Sequence, residues 1–254
     1  SSGQWPFATL GYPDGKDFKT FYPTNVMGPA YEILFFWVAR MIMLGIYRTG
    51  KIPFKTVFLH GLVRDQDRKK MSKSRGNVID PLGVAELYGT DAVRMALVSG
   101  TAAGNDPTIS EEKIKGYRNF ANKIWNASRF VLMNIDDAQP TNPKKLSVDD
   151  KKILNELKTM TKTVTRHLDR FEFHLAAETL YHYFWHTFAD QIIEVQKKRL
   201  SPERSVSEVE GPSTSSGNSE RAVAQFILLT CLTTSLKLLH PFMPFVTEAV
   251  WQQM

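Results

Sequence analysis

The sequence predicts an α/β region over roughly the first hundred residues, followed by an all-α antiparallel helical bundle. Three observations carry this. "KTVFLHGLV" at 55–63 is a β-branched and aromatic run, short enough for a buried strand, with helical patterns before and after it. From Thr108 onward, apolar residues recur at three- and four-residue spacing, the period of helices packed on one another. Residues 1–29 carry Gly or Pro every few positions, which leaves loops around short extended pieces.

The elements follow in order. "AYEILFFWVARMIMLGIY" (30–47) reads as a helix. It is the nearest approach to a membrane span, but Glu32 and Arg40 interrupt it and its length is marginal, so a buried core helix is expected. The strand at 55–63 is followed by a cationic loop. Asp80-Pro81 then reads as N-cap and first helical residue. Gly89 closes that helix and Asp91 starts another. Residues 30–99 thus form half of an α/β unit and the entry to something helical.

The next helix runs over about 111–134, with Ile114, Tyr117, Phe120, Ala121, Ile124, Trp125, Ser128 and Val131 on its apolar side and Thr108 with Glu111 as a capping box. Pro140 and Pro143 interrupt. Ser147 caps a helix to about 171, and another spans about 174–199. "SPERSVSEVEGPSTSSGNSE" (201–220) is a Ser/Gly/Pro loop. A further helix covers about 220–240, "HPFMPF" breaks it, and a last one starts near 245. The expected divisions are 1–100, 101–145 and 146–254, and no repeat is present.

Composition narrows the function classes. The chain has 254 residues, 43% hydrophobic and 23% charged, enough for one large domain or two smaller ones. Its net charge of +6 fits either solubility or a polyanionic partner. The single cysteine, Cys231, excludes an intrachain disulfide and a Cys-rich zinc site. It lies in an apolar run, as a buried structural thiol does. His182 and His186 have helical spacing, but they sit in "LYHYFWHTF" with no acidic third ligand evident, so no metal site is predicted. Walker A, Gly-rich dinucleotide and His-Glu-x-x-His patterns do not occur.

"KKMSKSRGNVIDP" (69–81) is the most informative stretch. Arg64, Arg68, Lys69, Lys70, Lys73 and Arg75 crowd one loop against Asp65 and Asp67. A solvated surface loop is the simplest reading of such a charge run. Four features point further. The loop follows the end of an expected parallel strand, where open α/β sheets bind ligands. Gly76 permits φ > 0 or close backbone approach. Ser72 and Ser74 add hydroxyls suited to phosphate oxygens. Lysines three apart flank a pyrophosphate and neutralise charge as it moves to the leaving group.

"KMSKS" at Lys70–Ser74 resembles the second signature of class I aminoacyl-tRNA synthetases. "SSGQWPFATLGYP", "FYPTNV", "EILFFWVARMIMLG", "PFKTVFLHGLV", "KMSKSRGNVIDPL", "YGTDAVRMAL", "RNFANKIWNASRFV" and "LLHPFMPFVTEAVW" resemble the valyl-tRNA synthetases, nearly end to end. The isoleucyl and leucyl relatives share the signature but differ around "WPFATLGYP" and "FFWVARM". The resemblance implies the second half of a Rossmann-like nucleotide-binding domain, a stem-contact region and an anticodon-binding helical bundle incomplete at its C-terminus. It also implies a piece of a longer cytoplasmic, monomeric enzyme that uses ATP with Mg2+, valine and tRNA(Val), without a membrane.

Two departures stand out. The His-Ile-Gly-His signature, which in the family lies upstream with the editing domain, is absent, so the isolated chain is expected to be inactive. Gly28-Pro29-Ala30 replaces the family's Thr-Gly pair, removing a backbone donor and a glycine that lets ATP approach.

By resemblance, Lys70 and Lys73 stabilise the triphosphate in the transition state, and Ser72 and Ser74 support the loop or bond phosphate. Met71 anchors the loop, His60 and Gly61 lie on the adenine side, and Glu32 takes the ribose hydroxyls. Ile33 walls the valine pocket with Trp37 behind it, although both also suit a plain core. On the 111–134 helix, Arg118, Asn119, Asn122, Lys123, Asn126 and Arg129 largely avoid the apolar stripe. A solvated face explains them, and so do RNA phosphates and 2′-hydroxyls. Phe130 resembles the aromatic that stacks on an anticodon base, with buried core as the rival. Three functions follow from these residues: a valine–tRNA ligase portion, a non-catalytic RNA-binding module, or another class I synthetase or nucleotidyltransferase.

Overall fold

The computed structural model describes residues 1–72, 74, 76–135, 143, 145–200 and 215–254, with the backbone alone for 215–218. It divides into two compact units, Ser1–Ser74 with Thr101–Thr108, and Arg75–Gly100 with Ile109–Met254. The region 1–100 of the sequence-based division is thereby split between them.

The first unit opens with two short helices, α1 (Trp5–Ala8) and α2 (Lys16–Phe21). Strand β1 (Thr24–Met27) then crosses through α3 (Ala39–Thr49) to β2 (Phe54–Val57). The strands pair in parallel, Thr24 with Phe54, Val26 with Thr56 and Met27 with Val57. A parallel pair needs such a crossover, because a tight turn cannot bring the chain back to the same end. Gly50, at φ 72°, closes α3 by donating its N–H to Ile46 O at 2.9 Å. Val38, Met41 and Phe54 form the small core, with Met27, Trp37 and Val57 against it.

Two expectations are corrected here. The 30–47 helix is not uniform: Tyr31–Ile33 is 3-10, Leu34–Val38 is π-helical, and only then does α3 begin. The cause lies upstream, since Ala30 is extended and still pairs with His60, so the chain leaves a sheet edge before it can coil. The strand predicted over 55–63 is regular only to Val57. Phe58 N–H bonds Met27 O at 2.8 Å and His60 N–H bonds Pro29 O at 3.1 Å, but Pro29 has no N–H to return, and the ladder loses its regularity there. Beyond it, Arg64 pairs with Thr108 instead.

The second unit is helical: α4 (Pro81–Tyr88), α5 (Thr90–Val98), α6 (Glu111–Met133), α7 (Val148–Asp169), α8 (Phe173–His182), a π-helical continuation (Tyr183–Ile192), α9 (Ile193–Leu200), α10 (Ser215–Leu239) and α11 (Pro244–Trp251). One core joins them, with Phe120, Ile124, Phe184, Phe188, Ile227, Leu228, Leu232 and Leu236 fully buried. The apolar run Ser219–Leu239 would suit a membrane by length and composition, yet more than half of it is buried in this core.

Caps explain the helix starts. Asp80 accepts from the N–H groups of Leu82 (3.2 Å) and Gly83 (3.1 Å), with Pro81 first in the helix as predicted. Ser147 and Asp150 form a reciprocal capping box on α7. Two predicted caps are corrected. Ser110, not Thr108, caps α6, accepting from Lys113 N–H at 3.1 Å. Asp91 does not start α5: Gly89, at φ 91°, is the cap residue, and Asp91 turns to another helix.

Candidate functional site

The first unit gathers its chemistry at the C-terminal ends of β1 and β2. Ala30 and His60 bridge there, with Tyr31 N–H on His60 O at 3.2 Å. The His60 ring is exposed, its Nδ1 2.9 Å from Gly61 O. Gly61 packs so closely on the chain at 105–106 that a Cβ would lie 2.0 Å from Asn105 O. Asp106, which no local sequence signal singled out, organises this corner. It accepts from Leu62 N–H at 2.8 Å, from Arg64 Nε and from Tyr31 OH at 3.4 Å. The Leu62 N–H and the Arg64 guanidinium hold its carboxyl below the ordinary carboxylate range despite partial desolvation.

From this corner a hairpin-like turn projects the lysine loop. Arg64 bridges Lys70 antiparallel, Asp65 N–H bonds Lys69 O at 3.1 Å, and Lys69 N–H returns to Asp65 Oδ1 at 2.7 Å. Arg68 takes φ 61° at the turn. The Lys70 ammonium lies 3.0 and 3.1 Å from the two oxygens of Glu32, which stands on the crossover just after β1. Ser72 and Ser74 approach to 3.2 Å through their hydroxyls. Gly76 has φ 67°, with nothing among the described residues near the position of an absent Cβ, so conformation rather than crowding requires glycine there. Met71 is partly buried. Lys73 and Arg75 lie outside the described residues.

Ile33 is 37% exposed, and Trp37 is half-buried, donating Nε1–H to Ser2 O at 3.3 Å while packing against the small core. Phe35, Phe36, Met43 and Tyr47 are each at least 70% exposed, an apolar surface where the sequence predicts a buried helix.

On α6 the candidate RNA residues fall into two stripes. Arg118, Asn122 and Arg129 follow one line of i, i+4 and i+11, with Trp125 between them. All four side chains are exposed, Trp125 at 43%. Asn119, Lys123, Asn126 and Phe130 form the other line. There Lys123 Nζ pairs with Asp190 Oδ1 at 2.6 Å and sits 5.5 Å from the Trp185 ring centroid. Phe130 is half-buried against the core, with Lys197 Nζ 5.2 Å from its ring centroid. His182 and His186 stack at 5.6 Å, and among the described residues no group of three or more ligands could hold a metal ion.

Known proteins share this sequence. Residues 1–110 match the profile of tRNA synthetases class I (I, L, M and V), and residues 150–254 that of the anticodon-binding domain of tRNA ligase. The valine–tRNA ligases of Dehalococcoides mccartyi (strain CBDB1) and Solibacter usitatus (strain Ellin6076) are 46% and 47% identical over 99% and 100% of the chain. The chain is thus similar to class I tRNA synthetases, and along its whole length to a stretch of the valine–tRNA ligases.

It spans about 27% of the length of those relatives. The lysine loop, Glu32 and His60 all fall within the class I synthetase match, and α8 to α11 with all but the first two residues of α7 within the anticodon-binding match, whereas α6 lies between the two. A solved methionyl-tRNA synthetase from Mycobacterium tuberculosis, in complex with methionyl-adenylate, superposes with TM-score 0.76 at 24% identity, over 96% of this chain and 47% of that one. A LeuRS–tRNA–LeuAMS ternary complex from Agrobacterium radiobacter does so with 0.71 at 20% identity, over 99% and 31%. These likenesses concern the synthetase fold alone.

Proposed function

We propose that this chain is the part of a cytoplasmic valine–tRNA ligase that carries the lysine loop, the second half of a Rossmann-like nucleotide domain and the tRNA-reading bundle. The whole enzyme joins valine to ATP as valyl-adenylate and passes the valyl group to tRNA(Val). The observation that carries this reading is the 3.0 Å contact between Lys70 Nζ and Glu32 Oε1 at the C-terminal ends of two parallel strands. A carboxylate that accepts ribose hydroxyls and a lysine that meets phosphate belong within one nucleotide's reach of each other.

In this mechanism the Mg2+–ATP substrate lies with its adenine by His60 and Gly61 and its ribose on Glu32. The valine carboxylate attacks the α-phosphate, and charge moves onto the pyrophosphate. Lys70 and Lys73 neutralise it, Ser72 and Ser74 bond phosphate oxygens or hold the loop, and Met71 anchors the loop. Ile33 and Trp37 line the valine side. Arg118, Asn119, Asn122, Lys123, Asn126 and Arg129 meet tRNA phosphates and hydroxyls, and Phe130 stacks on an anticodon base. The chain alone is inactive in adenylation and binds tRNA without nucleotide. Its exposed Phe35, Phe36, Met43 and Tyr47 support a catalytic half that requires further protein to close it.

The test is a titration with tRNA(Val) and with the same tRNA carrying a swapped anticodon, at one fixed salt concentration. Preference for the valine anticodon, lost in Phe130→Ala, is expected. Equal binding of the two reduces the bundle to general RNA affinity and leaves the valine assignment resting on resemblance alone.

A further inference from the structure

The stripe of α6 that carries Trp125 borders a groove against α11, on the opposite flank from Phe130. Its volume is about 370 Å3, within the usual range for small-ligand sites. Leu132, Met133 and Val250 supply its apolar lining. Trp125, Arg129 and Gln253 line it too, and among the described residues no carboxylate does. Ser128 also lines it, 1% exposed, and its hydroxyl finds no hydrogen-bond partner among the described residues.

We propose that this groove is a second RNA-binding subsite, one that holds an unstacked base of a single strand. Each part fits that ligand. An indole 43% exposed offers a stacking face, and base–aromatic stacking accepts any base because every base has a π-face. The Arg129 guanidinium, one helical turn on, meets the flanking phosphate, and Arg118 continues the cationic line toward the start of α6. The Ser128 hydroxyl and the Gln253 amide provide donors and acceptors for the base edge. An apolar peptide would leave the two arginines unused, so charge selects RNA. The proposal rests on the bundle being an RNA reader but not on valine specificity.

The experiment is anisotropy titration of the chain with a labelled single-stranded pentauridylate, together with tryptophan fluorescence. Wild type is expected to bind and to lose part of its emission. Trp125→Ala should weaken pentamer binding about tenfold. Trp125→Phe keeps a ring, so it should retain most of the affinity while losing the RNA-dependent quench. Anticodon preference through Phe130 should persist in both variants, so failure of the valine reading leaves this result standing. Three outcomes overturn the proposal: no pentamer binding by wild type, unchanged affinity in a Trp125→Ala variant that melts like wild type, or an RNA-dependent quench that survives in Trp125→Phe.

Discussion

The Asp91 carboxylate on α5 caps α11 from 155 residues away, with Oδ2 accepting from Val246 N–H at 2.6 Å and Oδ1 from Phe245 N–H at 3.1 Å. Asp91 is 6% exposed. One turn on, Arg94 donates to Pro241 O at 2.8 Å and Phe242 O at 3.2 Å. The break between α10 and α11 therefore has its free carbonyls and its free N–H groups met by one face of α5. Asp91→Ala leaves two helix-end donors without their acceptor and should lower stability by about 1–2 kcal/mol. Asp91→Asn keeps one acceptor oxygen and should recover part of the loss. Urea unfolding measures both, and an unchanged midpoint in Asp91→Ala would remove the cap from the account.

Gly61 is required by packing. A methyl there would meet Asn105 O at 2.0 Å and Asp106 Cα at 2.8 Å, both backbone atoms. Moving that segment also breaks the Leu62 N–H bond to Asp106. Gly61→Ala should cost about 1–3 kcal/mol as an overpacked site. Hydrogen exchange should rise at 101–108 while the helical unit stays protected. Unaltered exchange there would mean that the close approach does not exist.

What could be read beforehand divides along physical lines. The helices of the bundle were legible because the apolar period of α6 or α7 repeats over many turns and averages out local noise. Strand length was not, because it depended on a partner residue: Pro29 disrupts a ladder whose own sequence, "KTVFLHGLV", continues without a break. The Asp91 cap was invisible for the same reason, since its partners are distant in sequence and the local pattern suggested the nearer helix start. Lys70 and Glu32 were each singled out by chemistry and resemblance, but their contact needs the parallel pairing of β1 and β2. Asp106 gave no signal, because a loop aspartate before a proline is ordinary until Arg64 and Leu62 are folded onto it.

Asp150 and Arg199 make the helical unit acid-sensitive. The Asp150 side chain is 3% exposed and meets Arg199 Nη1 at 2.7 Å. Burial pushes its carboxyl up, but the bonds from Arg199 and Ser147 outweigh this and hold it below the ordinary range. A lowered folded-state pKa gives stability that is complete above the unfolded value and lost as pH falls through the folded one. Thermal stability should therefore drop below about pH 4. Arg199→Met removes the partner and leaves burial dominant, costing about 3 kcal/mol at pH 7. That penalty should shrink as pH falls and the carboxyl protonates. A penalty independent of pH would show that the arginine acts through packing alone.

Cys231 should be chemically silent in the folded chain. It is fully buried in α10, and burial, the largest influence, pushes its thiol up to about 12. Tyr183 OH donates to its sulfur at 3.8 Å, an opposing and smaller effect. The thiolate is the nucleophile, so at pH 8 almost none of the reactive form exists and none of it faces solvent. Iodoacetamide should leave the native protein unmodified over hours and alkylate it stoichiometrically in guanidinium. Because the chain has one cysteine, the slow native rate also reports the opening of the helical core. Asp91→Ala, which loosens the α10–α11 break, should raise that rate by about five- to thirtyfold, matching its loss of stability if opening is global. Rapid labelling of the native chain would contradict the burial of α10 itself.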